Sequence, residues 1–279
     1  RHRAAGAVAA GGALPPQQRR LPPLLRQALA GSEETLGPNN PTTLKFLSNL
    51  AMCLQAMGKY PEAEPLLRRA LRQSEGTRGP QDPNTLTFVN NLAMLLKGMA
   101  ALGMDVPDVD SGSLRPAERP RLFWNSAGLE AEQLIRKAYV GREQVLGPTH
   151  PSTLSSLGNL ASLLEDMGKN AEAETWYRTL VSRRETSLGV MHPETFSATA
   201  SLAMLLQKKE VGKDNEAAQL LTRAAMGCKA VLGKEHPETI ASAKNLLVLL
   251  HRTGRGEEAK SLQKDFFEGA EQPQECRVM

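Results

Sequence analysis

Apolar residues recur at helical spacing along the chain, in segments that are separated by short runs rich in glycine and proline. The first full segment has apolar residues at steps of three and four, namely Leu44, Leu47, Leu50, Ala51 and Leu54. This spacing predicts an amphipathic helix, because residues three and four apart share one helix face. A turn at Gly58 follows, and Ala63, Leu67 and Ala70 then predict a second helix of the same kind.

The runs between these segments are themselves repeated. Each contains a glycine and closes on a proline, and the closing prolines are Pro41, Pro83, Pro151, Pro193 and Pro237. They are 42, 68, 42 and 44 residues apart, so the second interval holds an insertion of 26 residues. We expect the glycine to end one helix in a left-handed cap and the proline to occupy the first position of the next helix. Asn40 and Asp82 are good N-caps, whereas His150, His192 and His236 are poorer ones.

Small residues within each predicted pair allow two antiparallel helices to approach closely, as at Ala51 and Ala63. One such hairpin buries too little apolar surface to be stable alone, whereas stacked hairpins share a continuous core. Aromatic residues make up only 4% of the chain, which argues against a β-sandwich or barrel. The sequence therefore predicts an all-α fold, a right-handed α-solenoid of stacked helical hairpins.

The domain organisation is predicted from the same punctuation. The solenoid spans 21–268 and begins with a half unit, 21–40, which corresponds to the second helix of a pair. The absent first helix and the initial Arg1 indicate a fragment, or a gene model cut at its 5′ end. Full units are expected at 41–82, 83–150, 151–192, 193–236 and 237–268. The segments predicted to lie outside the packed helices are a disordered low-complexity tail at 1–20, a disordered insertion at 100–126 and a polar tail at 269–279.

Several residues in these units resemble a known family. Asn49-Leu50-Ala51 and the run from Gly58 to Leu71 resemble a tetratricopeptide repeat. The 42-residue period and the Leu-Gly-x-x-His-Pro connector resemble the long variety of kinesin light chains and nephrocystin-3-like proteins, and the resemblance covers about residues 21–266. It implies that the first helix of each pair lines a concave groove that holds an extended or helical peptide. It also implies motor or cytoskeletal partners, although the heptad coiled coil by which kinesin light chains bind the motor heavy chain has no counterpart in this sequence.

Charge and composition exclude several classes of function. Residues 1–26 contain five arginines and no acidic residue, and the whole chain has a net charge of +4, so the remainder sums to −1. A general nucleic-acid-binding face needs clustered Lys and Arg in the folded part, so we expect no nucleic-acid partner. Apolar runs are too short to span a membrane, so no membrane partner is expected. Three widely spaced cysteines suit a reducing compartment, which predicts a cytoplasmic protein.

Motifs for catalysis, cofactors and metals are missing from the sequence. It contains no phosphate loop, dinucleotide fingerprint or His-Glu-x-x-His motif, and no Gly-x-Ser-x-Gly motif. His150, His192 and His236 occupy equivalent positions in successive units. Packed helices lie about 8–10 Å apart, which is too far for one zinc ion with bonds of about 2 Å. We therefore expect no enzyme activity, no cofactor and no metal site.

The candidate site residues lie on the predicted first helices. An asparagine recurs at one position as Asn49, Asn91, Asn159 and Asn245, and Ser201 replaces it once. Because an amide both donates and accepts, this asparagine column would hold a peptide backbone independently of its sequence. The alternative is that these amides bond within the solenoid.

Further candidates are apolar and charged. Three residues beyond the asparagine position are Met52, Met94 and Met204, with Ser162 and Val248 in the other units. Methionine adapts to apolar partners, although core filling would explain it equally well. The charged candidates are Lys45, Lys97, Lys208, Lys244 and Arg252, against Glu165 and Asp166. This excess favours partner segments that carry acidic residues around an apolar anchor, and solvated surface charge is the alternative.

Two classes of function remain open at this point. The first is a non-catalytic protein–protein interaction scaffold or cargo adaptor, kinesin light chain-like or a ciliary scaffold, that binds peptide segments in the groove. The second is a regulatory repeat region of a larger enzyme or NTPase. Heptads upstream in the gene would favour the adaptor, and an upstream nucleotide-binding domain would favour the enzyme.

Overall fold

The computed structural model describes residues 16–104, 125–209 and 213–267. Disorder was expected at 1–20 and 100–126, of which residues 1–15 and 105–124 lie outside the described residues, as does the polar tail at 269–279. The first helix already begins at Pro16, five residues before the expected start of the solenoid at 21. The low-complexity composition of residues 1–20 had predicted disorder, but this last part of the segment contains good helix formers such as Gln17 and Arg20.

The described residues form eleven α-helices and no strand, which confirms the all-α class of paired helices. The helices are α1 (Pro16–Leu36), α2 (Pro41–Ala56), α3 (Tyr60–Arg78), α4 (Pro83–Ala101), α5 (Ser126–Leu146), α6 (Pro151–Asp166), α7 (Asn170–Leu188), α8 (Pro193–Lys209), α9 (Asp214–Leu232), α10 (Pro237–Arg252) and α11 (Gly256–Phe267). No helix within the described ranges combines the length and the apolarity that crossing a membrane requires.

The chain divides into two compact units, residues 1–163 and 164–279, with the boundary inside α6. In the first unit, each helix from α1 to α5 packs against the next, and α2 also packs against α4. In the second unit, each helix from α7 to α11 packs against the next, and α8 also packs against α10. Within each unit, the first helices of successive pairs are therefore neighbours.

Close packing inside a pair depends on small residues, as the sequence predicts. Ala51 on α2 and Ala63 on α3 are both completely buried. Between them the chain turns at Gly58, whose φ is +74°. The space around the alanines is filled by Leu47 and Leu67, which are equally inaccessible to solvent. Two antiparallel helices thus share one apolar seam.

The N-terminal ends of the first helices are capped by side chains. Asn40 Oδ1 accepts the backbone N–H of Thr42 at 2.9 Å, and Asp82 Oδ1 accepts that of Asn84 at 2.9 Å. The expected proline lies in the first turn of these helices. At the later connectors, imidazoles cap in the same way, because the Nδ1 atoms of His150, His192 and His236 accept the backbone N–H two residues on, at 3.1, 3.2 and 3.2 Å.

The glycines that end the second helices differ from the expected left-handed cap. Gly79, Gly147, Gly189 and Gly233 have φ between +89° and +92°, as a positive-φ cap requires, but ψ lies between 160° and 165°. The prediction of a left-handed helical conformation at these glycines was therefore wrong. This extended conformation at positive φ is essentially restricted to glycine. It lets the chain leave the helix in an extended direction toward the next capping residue.

Candidate peptide-binding surface

In the first unit, the predicted groove residues lie on neighbouring first helices. Lys45, Asn49 and Met52 are exposed on α2 at steps of four and three, so they share one face of that helix. On α4, Asn91 and Met94 are half-buried. These two helices pack against each other, which brings the two sets of candidates onto adjacent surfaces.

Side-chain hydrogen bonds join the candidates of neighbouring first helices. Asn91 Nδ2 donates to Ser48 Oγ at 3.0 Å and lies 3.8 Å from Met52 Sδ. Asn159 Nδ2 donates to Asn90 Oδ1 at 3.3 Å. Lys97 Nζ donates to Ser162 Oγ at 2.7 Å. Here α4 is bonded to α2 on one side and to the first part of α6 on the other.

In the second unit, α8 and α10 repeat part of this arrangement. Asn245 Nδ2 lies 3.6 Å from Met204 Sδ. The exposed fraction is 43% for Met204 and 65% for Val248, and Met52 in the first unit is 51% exposed. Core filling therefore does not explain Met52 or Met204, whereas half-buried Met94 contributes to both core and surface.

The amide contacts bear on both roles considered for the asparagine column. The donor atoms of Asn91, Asn159 and Asn245 are directed to the preceding first helix, which is the internal role. Their Oδ1 atoms have no partner among the described residues. Each amide therefore still offers its Oδ1 atom as a hydrogen-bond acceptor, and the N–H groups of a peptide backbone could donate to it.

Lys208 and Arg252, two of the candidate cations, are paired with carboxylates. Lys208 Nζ lies 2.7 Å from Glu165 Oε1, and the hydroxyl of Tyr177 donates to the other oxygen of that carboxylate at 3.0 Å. Arg252 pairs with Asp214. The charge count from the sequence considered the first helices alone. It therefore missed Asp214, which begins the second helix α9 and lies 38 residues before Arg252 in the sequence.

The other charged candidates differ in their surroundings. Lys45 and Lys244 are exposed and have no carboxylate partner within the described ranges. Asp166, at the end of α6, is exposed. The positive excess on the second unit therefore rests on Lys244, since Lys208 and Arg252 are neutralised locally.

A buried arginine behind this surface was not found by sequence reasoning. Arg142 on α5 is only 4% exposed, and its Nη1 donates to Ser156 Oγ at 2.7 Å and to the Ser152 carbonyl at 3.0 Å. Its Nη2 donates to Thr87 Oγ1 at 2.9 Å. Burial lowers the pKa of the guanidinium. Ser156 Oγ in turn donates to Asn90 Oδ1 at 3.1 Å, so Arg142 is bonded to the same network that orients Asn159.

Neither metal-binding clusters nor paired cysteines occur in the part of the chain that the structure describes. No three His, Cys, Asp or Glu side chains come together there in a way that could hold a metal ion. Cys53 and Cys228 are free thiols, and burial raises the pKa of both.

The fold consists of paired helices of regular length with small residues packed between them. Polar side chains that are candidates for peptide binding lie on neighbouring first helices. These features define a helical-repeat protein. Within that class, residues 42–101 and 123–186 match the family model for the tetratricopeptide repeat. These residues thus carry tetratricopeptide repeats, which confirms the resemblance proposed from the sequence.

Solved structures with the same fold are similar to this chain over most of its length. One is a putative kinesin light chain from Podosopora anserina with nearly identical TPR-like repeats, at 23% identity and a TM-score of 0.63, covering 81% of this chain and 94% of that one. Another is BtubC (BKLC) from P. vanneervenii, at 16% identity and a TM-score of 0.67, covering 94% and 97%. None of the curated proteins matches the sequence. At these identities, the comparisons establish the fold alone.

Proposed function

We propose that this protein is a non-catalytic interaction scaffold, a kinesin light chain-like cargo adaptor in the cytoplasm that holds peptide segments on its first helices. The observation that carries the proposal is on α2 and α4. Met52 is 51% exposed, and it lies between the exposed Asn49 on its own helix and Asn91 on the next. An exposed methionine beside amide acceptors suits such a site, because methionine is over-represented on surfaces that bind varied partners.

The proposed partner segment is acidic and carries one large apolar anchor. The anchor contacts the methionine, since thioether side chains adapt to varied apolar shapes. The backbone N–H groups of the segment donate to the free Oδ1 atoms of Asn91 and Asn159. Lys45 supplies positive charge in the first unit, and Lys244 does so in the second. Exposed charge pairs contribute only about 0.2–1 kcal/mol each, so the anchor provides most of the affinity.

The test begins with peptides selected from a displayed library of disordered protein segments against residues 16–267. Their affinities are then measured by isothermal titration calorimetry for Met52→Ala, Asn91→Ala and Lys45→Glu. We expect Met52→Ala and Asn91→Ala each to weaken every selected peptide by about 2- to 13-fold, the range for one hydrogen bond or a small apolar contact. Lys45→Glu should weaken acidic peptides selectively and reduce the salt dependence of binding.

The matched control is Arg72→Ala, with Arg72→Glu as the counterpart of the charge reversal. Arg72 is exposed on α3, a second helix, and has no charge partner among the described side chains. Both control variants should bind the peptides as the wild type does. Selected peptides that bind Met52→Ala and Asn91→Ala without loss, or that are predominantly basic, would contradict the proposal.

A further inference from the structure

We propose that Arg142 is a positioning residue, which holds the carboxamide of Asn159 with its oxygen outward. Three hydrogen bonds connect the two side chains. Arg142 Nη1 donates to Ser156 Oγ at 2.7 Å, and Ser156 Oγ donates to Asn90 Oδ1 at 3.1 Å. Asn159 Nδ2 donates to the same oxygen of Asn90 at 3.3 Å. The role of Asn159 as a contact for peptides rests on the proposed function, whereas the hydrogen bonds that orient it do not.

The arginine determines the direction of this chain of hydrogen bonds. A guanidinium donates and cannot accept, so Ser156 Oγ accepts from Arg142 and its own proton goes to Asn90. Thr87 follows the same rule on the other side of the guanidinium. Its hydroxyl accepts from Arg142 Nη2 at 2.9 Å and donates to the Pro83 carbonyl at 2.8 Å. Each hydroxyl beside the buried cation is therefore fixed as a donor toward its next partner.

Asn90 passes this direction on to Asn159. The two ends of a carboxamide are nearly alike in shape, so hydrogen bonds and not packing determine which way up an amide lies. Asn90 is 8% exposed, and its Oδ1 receives two donors, the Ser156 hydroxyl and Asn159 Nδ2. If Asn90 turned over, its own N–H groups would face both donors, and each would lose its acceptor. Asn159 consequently keeps Nδ2 inward, which leaves its oxygen for a partner.

The asparagine of the preceding first helix is not controlled in this way. Asn91 Nδ2 donates to Ser48 Oγ at 3.0 Å. The residue that corresponds to Ser156 in this pair is Phe88, five residues after the connector proline, and it has no hydrogen-bonding group. A serine hydroxyl both donates and accepts, because its proton rotates. Asn91 can therefore turn over and keep its bond to Ser48, so it offers a partner either an acceptor or donors.

The two positions thus select a partner segment differently. Asn159 presents a fixed acceptor, which pairs with backbone N–H groups and not with the carbonyl groups between them. Asn91 adapts to either kind of group. We infer that Asn159 sets the register in which a peptide backbone lies across the first helices, and that Arg142 is the origin of this selectivity.

The orientation is measured without any peptide, through the solvent exchange of side-chain amide protons in the full chain labelled with ¹⁵N-asparagine. The Nδ2 protons of Asn159 should exchange about 2- to 13-fold more slowly than those of exposed Asn49, the range for one hydrogen bond. Ser156→Ala interrupts the chain and should remove this protection. Ser155→Ala is the matched control, because Ser155 is exposed and donates to the Pro151 carbonyl instead. Protection at Asn159 that survives Ser156→Ala would overturn the proposal.

Variants of the arginine separate donation from packing. Arg142→Lys keeps a side chain that only donates, whereas Arg142→Met keeps a long side chain without a donor. The lysine variant should retain most of the protection at Asn159, and the methionine variant should lose it as Ser156→Ala does. Equal protection in both variants, or equal loss in both with unchanged circular dichroism, would show that donation from residue 142 does not orient Asn159.

Binding of the selected peptides distinguishes failure of this inference from failure of the proposed function. An amide that is turned over half of the time should weaken each peptide about two-fold in Ser156→Ala, measured by isothermal titration calorimetry. The same change should have no further effect in an Asn159→Ala background, because the oriented group is then absent. Peptides that require Asn159 but are insensitive to Ser156→Ala would overturn the inference alone. Protection that depends on Arg142, together with peptides that ignore Asn159→Ala, would support the orientation and contradict the peptide surface.

Discussion

Gly227 on α9 and Phe196 on α8 approach so closely that no side chain fits between them. A Cβ atom built on Gly227 would lie 2.1 Å from Cζ and 2.3 Å from Cε1 of the Phe196 ring. The ring is 1% exposed and packs against Ala224 and Cys228, so it has little room to withdraw. The absence of a side chain at Gly227 therefore sets the distance between the two helices of this pair.

We expect Gly227→Ala to destabilise the second unit. Alanine improves helix propensity by up to about 1 kcal/mol, but overpacking a core typically costs about 1–3 kcal/mol, and here the contact is with a buried ring. The free energy of unfolding should thus fall by about 1–2 kcal/mol, measured by urea unfolding. Adding Phe196→Leu should recover part of the loss by making room for the methyl group.

Gly31 on α1 is the matched control for this substitution. It lies six residues before Gly37, as Gly227 lies six residues before Gly233. A Cβ on Gly31 would meet nothing within 4 Å. Gly31→Ala should therefore stabilise its helix by a few tenths to about 1 kcal/mol. Equal effects of the two substitutions would show that close packing at Phe196 is not the determining factor.

The helices and their ends were predictable because local chemistry determines them. Proline in the first turn and a side-chain acceptor just before it start a helix wherever they occur, as at Asn40 and Pro41. Glycine ends a helix with positive φ, and the sequence specified that much. It did not specify ψ at Gly147, because glycine adopts the left-handed and the extended conformations with similar ease.

Side-chain partners were not predictable, because they depend on residues far apart in the sequence. The position of Arg142 is occupied by Ser32, Ser74, Arg184 and Cys228 in the other units, so the repeat pattern alone does not specify a buried cation there. Arginine is rarely buried without a carboxylate. Its partners here, Thr87 and Ser156, are 55 and 14 residues away and come together only when α4, α5 and α6 pack.

We expect Arg142→Ala to destabilise the first unit by about 2–4 kcal/mol. The change removes a side chain that is 4% exposed, leaves a cavity and deprives the Ser152 carbonyl and two hydroxyls of a donor. Lys137→Ala on the same helix is the control, since Lys137 pairs with Glu75 at the surface and should contribute less than about 1 kcal/mol. Urea unfolding of both variants measures the difference, and similar losses would contradict a structural role for the buried arginine.

The histidine caps should stabilise the helix starts at which they lie. Nδ1 of His150 accepts the N–H of Ser152, and alanine at this position would leave that N–H without its side-chain acceptor. Loss of a side-chain cap costs about 0.5–2 kcal/mol. Amide protection at Ser152 should therefore fall by the equivalent of about 1 kcal/mol in His150→Ala, measured by hydrogen exchange.

Two comparisons separate this local effect from general destabilisation. Thr42 is capped by the Asn40 amide, so its protection should not change in His150→Ala. His150→Asn should supply a good cap and keep Ser152 protected. A parallel loss of protection at Thr42 and Ser152 in His150→Ala would show that the substitution acts on the whole unit instead of on the cap.

The first helix should exchange its amide hydrogens faster than the helices of the core. On α1, Leu24 is 60% and Leu21 46% exposed, and Leu29 is the buried leucine of the helix. On α4, by contrast, ten side chains are buried. Local opening free energies follow the number of buried apolar contacts, so amides from Leu24 to Leu36 should show protection factors well below those from Leu86 to Leu96. Hydrogen exchange followed by mass spectrometry measures both peptides in one experiment.

Leu24→Lys should leave the free energy of unfolding unchanged within about 0.5 kcal/mol, whereas Leu92→Ala, at a residue 1% exposed, should cost about 2–5 kcal/mol. Exchange in α1 as slow as in α4 would mean that the exposed leucines are covered in solution, and in that case Leu24→Lys should be as costly as the core substitution.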